Sequence, residues 1–187
     1  MKYTYTLLIV LFTSFTFAQE VDGLYELDKA HSRLGFKIKH RDIVDVNGEF
    51  SSFNMNFTMK EEDWKNCKIE LTAKTESINT GIEGRDNHLR SEDFFDAEQY
   101  PSISFQSDKV SMKKGNITIS GSLTMHGITQ KVTLTGVVMG PKSFKDSKVI
   151  GMHLTGPVKR SDFKIGKISP GIADEVILHA DIELVGE

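Results

Sequence analysis

Period-two alternation recurs along most of this chain and leaves antiparallel sheet as the architecture to be explained. Leu34, Phe36 and Ile38 alternate with Arg33, Lys37 and Lys39, and Phe53, Met55, Phe57 and Met59 alternate with Ser52, Asn54, Asn56 and Thr58. Ile69, Leu71 and Ala73 repeat the pattern, as do Ile103 and Phe105. Successive side chains of a strand point to opposite faces, so each segment has one apolar and one wet side. Ile117, Ile119, Leu123 and Met125 share a face, with Gly121 between them expected as a bulge or kink. Val132 and Leu134 follow, then Ile150, Met152 and Leu154, and Val176, Leu178, Ala180, Ile182 and Leu184 close the series. Lys113-Lys114-Gly115-Asn116 and His126-Gly127 read as turns, because Gly and Asn tolerate positive φ. About eight strands emerge, and the helical candidates are confined to the span from Gly84 to Gln99. Such a pattern gives an all-β sandwich or barrel. The long uninterrupted runs from Ser102 to Val110 and from Asn116 to Met125 favour a tall barrel.

The inward faces are unusual in kind. Phe36, Phe53, Met55, Phe57, Phe105 and Met125 are large or flexible where a filled core would favour Val, Ile and Leu. Two readings follow: a lumen shaped for an oily guest, or a core in which Met fills the gaps. A hydrophobic fraction of 39% and a charged fraction of 26% support a soluble core in either case. Net charge is only −3 and no long run of basic residues occurs, so nothing invites nucleic acid.

The first eighteen residues have the form of a secretory signal: Lys2, an apolar run from Tyr5 to Phe17, and Thr16-Phe17-Ala18 before an expected cut after Ala18. That run is shorter than the roughly 20 residues a membrane span needs. Its removal takes away one positive charge (Lys2) and no negative one, moving the net charge from −3 to −4. The expected mature domain is 19–187, in the periplasm or secreted. Cys67, the single cysteine, cannot form an internal disulfide and reads as a small buried hydrophobe.

Charge, histidine and paired phenylalanine concentrate in one non-periodic excursion, Arg85-Asp86-Asn87-His88-Leu89 through Asp93-Phe94-Phe95-Asp96. Arg85 and His88 sit where they would line the mouth of a barrel. Arg85 would either grip an anionic head group or tie the excursion to neighbouring loops. Phe94-Phe95 should place at least one ring in the core or the cavity mouth. Ser91 ahead of Glu92-Asp93 reads as a helix N-cap. The histidines show no zinc-type spacing and no H-E-x-x-H, so no metal site is expected. His31-Ser32 beside Asp28 resembles a triad in composition, but adjacent strand residues face opposite ways. An envelope hydrolase or isomerase using the histidines and acids of residues 84–96 is the competing class of function.

The ordered set Tyr25-x-Leu27-Asp28-x-x-His31-Ser32, Phe36-x-x-Lys39-His40, Gly48-x-Phe50, Ser77-Ile78-Asn79-Thr80-Gly81, Arg85-Asp86-x-His88-Leu89, Asp93-Phe94-Phe95-Asp96, Tyr100-Pro101-x-Ile103-x-Phe105 and Gly121-x-Leu123-x-x-His126-Gly127 resembles the YceI-like, lipid/polyisoprenoid-binding family. The likeness spans nearly the whole mature chain. Tyr25 stands where the family usually has Trp, and Lys164 where a glycine is common. The resemblance implies an extended eight-stranded lipocalin-like barrel, no enzymatic activity and no cofactor beyond a bound isoprenoid-type lipid or similar long-chain amphiphile. Phe36, Ile38, Phe53, Phe57, Ile103, Phe105, Leu123 and Met125 are the expected lining, with Arg85 and His88 at the mouth. A membrane-protein partner and a homodimer are both compatible with the sequence, which offers a distinct patch for neither.

Overall fold

A computed structural model of the protein describes residues 23–186; the expected leader and its cut after Ala18 lie outside them. Eleven strands and one helix follow in the order β1 (Leu24–Leu27), β2 (Arg33–His40), β3 (Val44–Phe50), β4 (Phe53–Thr58), β5 (Lys68–Lys74), β6 (Ile78–Asn79), α1 (Glu83–Arg90), β7 (Ser102–Lys113), β8 (Asn116–Met125), β9 (Ile128–Phe144), β10 (Ser147–Lys159) and β11 (Ile172–Gly186). Eight of the strands close an antiparallel ring, β1-β4-β5-β7-β8-β9-β10-β11, through the pairing of β11 back onto β1. Of the sandwich and barrel that the periodicity allows, the eight-stranded barrel implied by the resemblance is the architecture found. Three strands are surplus to the ring: β2 and β3 arise because two staves bend, and β6 because a 3₁₀ turn at Thr75–Ser77 interrupts the chain after β5.

The first bend separates β1 from β2, and both lie along the same edge of β11. Pairing runs from Ile172↔His40 to Asp181↔Arg33, and resumes at Leu184↔Leu27. Between them the buried Ser32 hydroxyl accepts from the Glu183 N–H at 2.9 Å and donates to its carbonyl at 3.4 Å, standing in for a missing backbone partner. The serine of the triad-like cluster is therefore structural. At the second bend, between β3 and β4, Ser51 N–H donates to the Ser77 carbonyl and Lys74 N–H to the Ser52 carbonyl, so the neighbouring edge also stays paired.

Two glycines owe their identity to rings that cross the backbone. A Cβ on Gly121 would lie 2.3 Å from the Gln106 carbonyl oxygen and 2.5 Å from the Phe105 ring. The irregularity expected at Gly121 sits opposite it instead, where the β7 register slips between Ser107 and Lys109. Gly48 likewise leaves space for Phe36, whose ring would be 2.3 Å from an added Cβ.

The two ends of the barrel differ. At one end Phe57 is fully buried, with Tyr25 edge-on at 5.5 Å and Trp64 tilted at 5.8 Å between ring centres. Trp64 belongs to an acidic stretch that reads as a polar loop, but the segment makes a 3₁₀ turn capped by Asp63 and drives the indole inward. At the other end β6 ends the ladder order and no pairing joins it to β7. Helix α1 and the chain up to Pro101 fill that span. Only Glu83–Arg90 of the expected helical region is α-helical, and Ser91 closes that helix rather than starting another: its N–H and Oγ both donate to the His88 carbonyl.

Candidate functional site

The end carrying α1 opens into a cavity of about 530 Å³, within the range of roughly 300–1,000 Å³ typical of small-molecule sites. Its walls are apolar: Phe36, Ile38 and Val46 from β2 and β3, Val176 and Leu178 from β11, and Leu89, Phe94 and Phe95 from the excursion. Phe95 meets Phe50 edge-on at 6.0 Å and Phe94 meets His88 at 4.9 Å, so both phenylalanines of the excursion enter the site. Deeper in the lumen lies a second void of about 80 Å³, lined by Ile103, Phe105, Leu123 and Ile119 among others. Phe50, Met125 and Leu178 border both voids and form the neck between them.

The structure thus divides the expected lining residues into groups. Phe36, Ile38, Arg85 and His88 line the outer cavity, Ile103, Phe105 and Leu123 the inner one, and Met125 both. Phe53 and Phe57 line neither. Phe57 belongs to the aromatic plug at the closed end, and Phe53 borders a polar cleft of about 360 Å³ at the two bends. Parity places both rings inward but does not say how far along the barrel axis they sit.

Electrostatics distinguish the mouth from the walls. Lys39, His40, Arg41, Arg85, His88 and Arg160 border the outer cavity, and among the described residues no Asp or Glu does. The cations differ in how firmly they are held. Lys39 donates to Asp45 at 2.9 Å, and this hydrogen bond holds the Asp45 carboxyl below the usual carboxylate range. Arg85 donates to the Thr80 hydroxyl at 2.7 Å and to its carbonyl at 2.9 Å, while the buried Asp86 accepts from the Thr80 N–H at 2.8 Å and from its hydroxyl. Arg85 therefore anchors the excursion through Thr80, and its side chain also borders the cavity.

Arg160 is the residue sequence reasoning missed. Only 4% exposed, it donates to the backbone carbonyls of Ala173, Ile165, Lys167 and Ile172 at 2.9–3.2 Å. Nothing in Lys159-Arg160-Ser161-Asp162 distinguishes it from a surface arginine. Its neighbour Lys164, at the position where a glycine is common, adopts left-handed φ 55° and ψ 32°.

The remaining chemical candidates each have a separate partner. His126 Nδ1 lies 3.1 Å from the Phe163 carbonyl, and His88 Nε2 lies 3.5 Å from Asp93. His31 Nδ1 lies 2.9 Å from Asp28 at the first bend, and this hydrogen bond raises the His31 pKa and lowers that of Asp28. Asp28, His31 and Glu183 bring three potential donor atoms within 4.8 Å there, on the outer bend. Burial pushes the Cys67 thiol up to about 11, as befits an inert core cysteine.

Fold and site together define a class: a closed antiparallel barrel of the lipocalin-like kind, plugged at one end and open at the other into an apolar cavity with a basic rim. The chain belongs to the YceI-like domain family, which matches residues 25–184. It is 31% identical over 182 residues to Protein YceI of Salmonella newport, covering 96% of this chain and 94% of that one. The crystal structure of a Campylobacter jejuni YceI protein superposes with a TM-score of 0.74 at 34% identity, over 87% of this chain and 98% of that one. A polyisoprenoid-binding domain from Saccharophagus degradans shares the fold at a TM-score of 0.63 and 16% identity, over 87% and 98% of the two chains.

Proposed function

We propose that this protein is an exported carrier that sequesters a polyisoprenoid or similar long amphiphile, with the tail in the barrel and the polar head at the basic rim. One observation carries the reading: an apolar cavity of about 530 Å³, bordered among the described residues by six basic or imidazole side chains and no carboxylate, opens at the α1 end of the barrel. A tail of 20–40 carbons at about 0.3 kcal/mol per heavy atom contributes about 6–12 kcal/mol. That spans weak to nanomolar binding before the head group is counted. The head group then selects which amphiphile is held, and the rim favours an acidic one.

Membership of the YceI-like family supports a binding protein rather than an enzyme, and so does the separate engagement of His88, His126 and Asp86. Export follows from the character of residues 1–18, and N-terminal sequencing of the cell-derived protein checks the cut after Ala18. Native mass spectrometry of that protein, followed by organic extraction, should release one long-chain amphiphile per chain. Absence of any co-purified lipid, together with no uptake of a fluorescent prenyl probe, would count against the proposal.

A further inference from the structure

The rim of the cavity also has an outward side. Nine large hydrophobic residues are exposed among the described residues, and four of them, Ile43, Val44, Ile82 and Ile168, stand on the segments that frame the mouth. Ile43 is 78% exposed at the tip of the β2–β3 turn, where Arg41 and Asp42 both have positive φ and the Ile43 N–H closes the turn on the His40 carbonyl. Ile168 is 60% exposed on the loop 164–171. The two segments are fastened together by a hydrogen bond from Arg41 N–H to the Gly171 carbonyl at 3.1 Å and by the His40↔Ile172 pairing. The turn that carries Ile43 and the loop that carries Ile168 are therefore held together beside the cavity mouth.

The charge beside Ile43 and Ile168 is positive, whereas Ile82, next to Glu83 on the acidic excursion, takes no part in the contact. Residues 39–45 and 164–171 contain Lys39, Arg41, Lys164 and Lys167 against Asp42 and Asp45, a surplus of two on a chain whose net charge is −3. The loop that carries Ile168 has no acid at all. Apolar side chains flanked by Lys and Arg are the combination that holds a protein at an anionic bilayer surface, the first entering the head-group region and the second facing lipid phosphates.

We infer that the mouth end docks on a membrane surface containing anionic phospholipid, with Ile43 and Ile168 inserted and Lys164 and Lys167 at the head groups. This rests on the carrier reading for its purpose, since docking there sets the opening directly against the lipid from which a guest is drawn. It does not rest on that reading for its test.

Flotation with phosphatidylcholine vesicles, with and without phosphatidylglycerol, measures the contact. Both the full chain and the chain from Gln19 are floated, so that the apolar N-terminal run is constant within each set of variants. The chain from Gln19 should float with the phosphatidylglycerol vesicles alone and be released by salt. Lys164→Glu with Lys167→Glu should weaken binding by about fivefold or more per charge. Ile43→Asp with Ile168→Asp should abolish it, whereas Phe144→Asp, at an exposed residue where β9 ends, should leave it unchanged. Uptake of a prenyl probe in vesicle-free solution should be the same in all variants; its failure in wild type removes the carrier reading and leaves docking standing. The inference is overturned if the chain from Gln19 does not float, or if Phe144→Asp costs as much as the rim changes. It is equally overturned if the rim changes split a dimer in sedimentation while vesicle binding persists.

Discussion

Met125 stands between the outer void of about 530 Å³ and the inner one of about 80 Å³, so its truncation should change the length of tail the barrel prefers. Met125→Ala removes most of one side of the neck and joins the two spaces. If the tail runs down the lumen, the joined space admits about one further isoprene unit. Five carbons at about 0.3 kcal/mol each add about 1.5 kcal/mol, or roughly tenfold in affinity for the longer chain. The substitution costs about 2–5 kcal/mol of stability, because Met125 is buried. A domain with the usual stability of about 5–15 kcal/mol survives that loss. Met125→Leu conserves volume, should cost under about 1.5 kcal/mol and should keep the wild-type preference. Displacement of a bound fluorescent prenyl probe by alcohols of increasing chain length reads the optimum, and a thermal melt confirms that each variant is folded. A cooperative, folded Met125→Ala protein with an unaltered length preference would mean that the tail never reaches the neck, and the axial arrangement of the guest would be refuted.

Three other expectations follow from the same geometry. Arg160→Met keeps the aliphatic stem but leaves the carbonyls of Ile165, Lys167, Ile172 and Ala173 without their donors. At about 1 kcal/mol or more each, the loss should reach about 4 kcal/mol in urea unfolding, and a loss under about 1 kcal/mol would show that water replaces the guanidinium. Lys164→Gly relieves a side chain held at φ 55° and should raise stability by about 0.5 kcal/mol, after the larger unfolded-state entropy of glycine is subtracted; a lower melting temperature contradicts this. His31 is raised from its ordinary 6.5, so its contribution is complete below that pH and is lost as pH climbs through its higher folded value. Asp28 is lowered from 3.8, so its contribution is present above that pH and fades as pH falls through its lower folded value. The melting-temperature gap between wild type and His31→Gln should therefore be widest between pH 3.8 and 6.5, and a gap independent of pH would disprove the assignment.

The antiparallel sheet was legible because alternation reports sidedness, but a sandwich has the same sidedness, and it was the ordered motifs of the resemblance that pointed to a closed barrel. β5, β7 and β8 fall where Ile69, Ile103 and Ile117 begin their series. Position along the axis was not legible. Phe57 and Phe36 have the same parity signal, yet one is sealed against Tyr25 and Trp64 while the other borders the cavity. Trp64 and Arg160 were hidden for a related reason. A polar neighbourhood in the chain says nothing about a side chain that a tight 3₁₀ turn directs inward. The excursion announced itself by its lack of period, and Arg85 and His88 do reach the mouth. Lys39, His40 and Arg41, by contrast, read only as the wet face and end of a strand.

If the barrel carries an amphiphile as proposed, the aromatic plug of Tyr25, Phe57 and Trp64 decides what kind of traffic it can support. A tube open at both ends could hand cargo through from one face to the other. A blind pouch has a single doorway, so whatever goes in first by its tail must back out by its head, and loading and delivery cannot overlap. Each trip is then a complete cycle of collection, travel and surrender, and the dwell time is governed by how readily the last carbons leave the bottom.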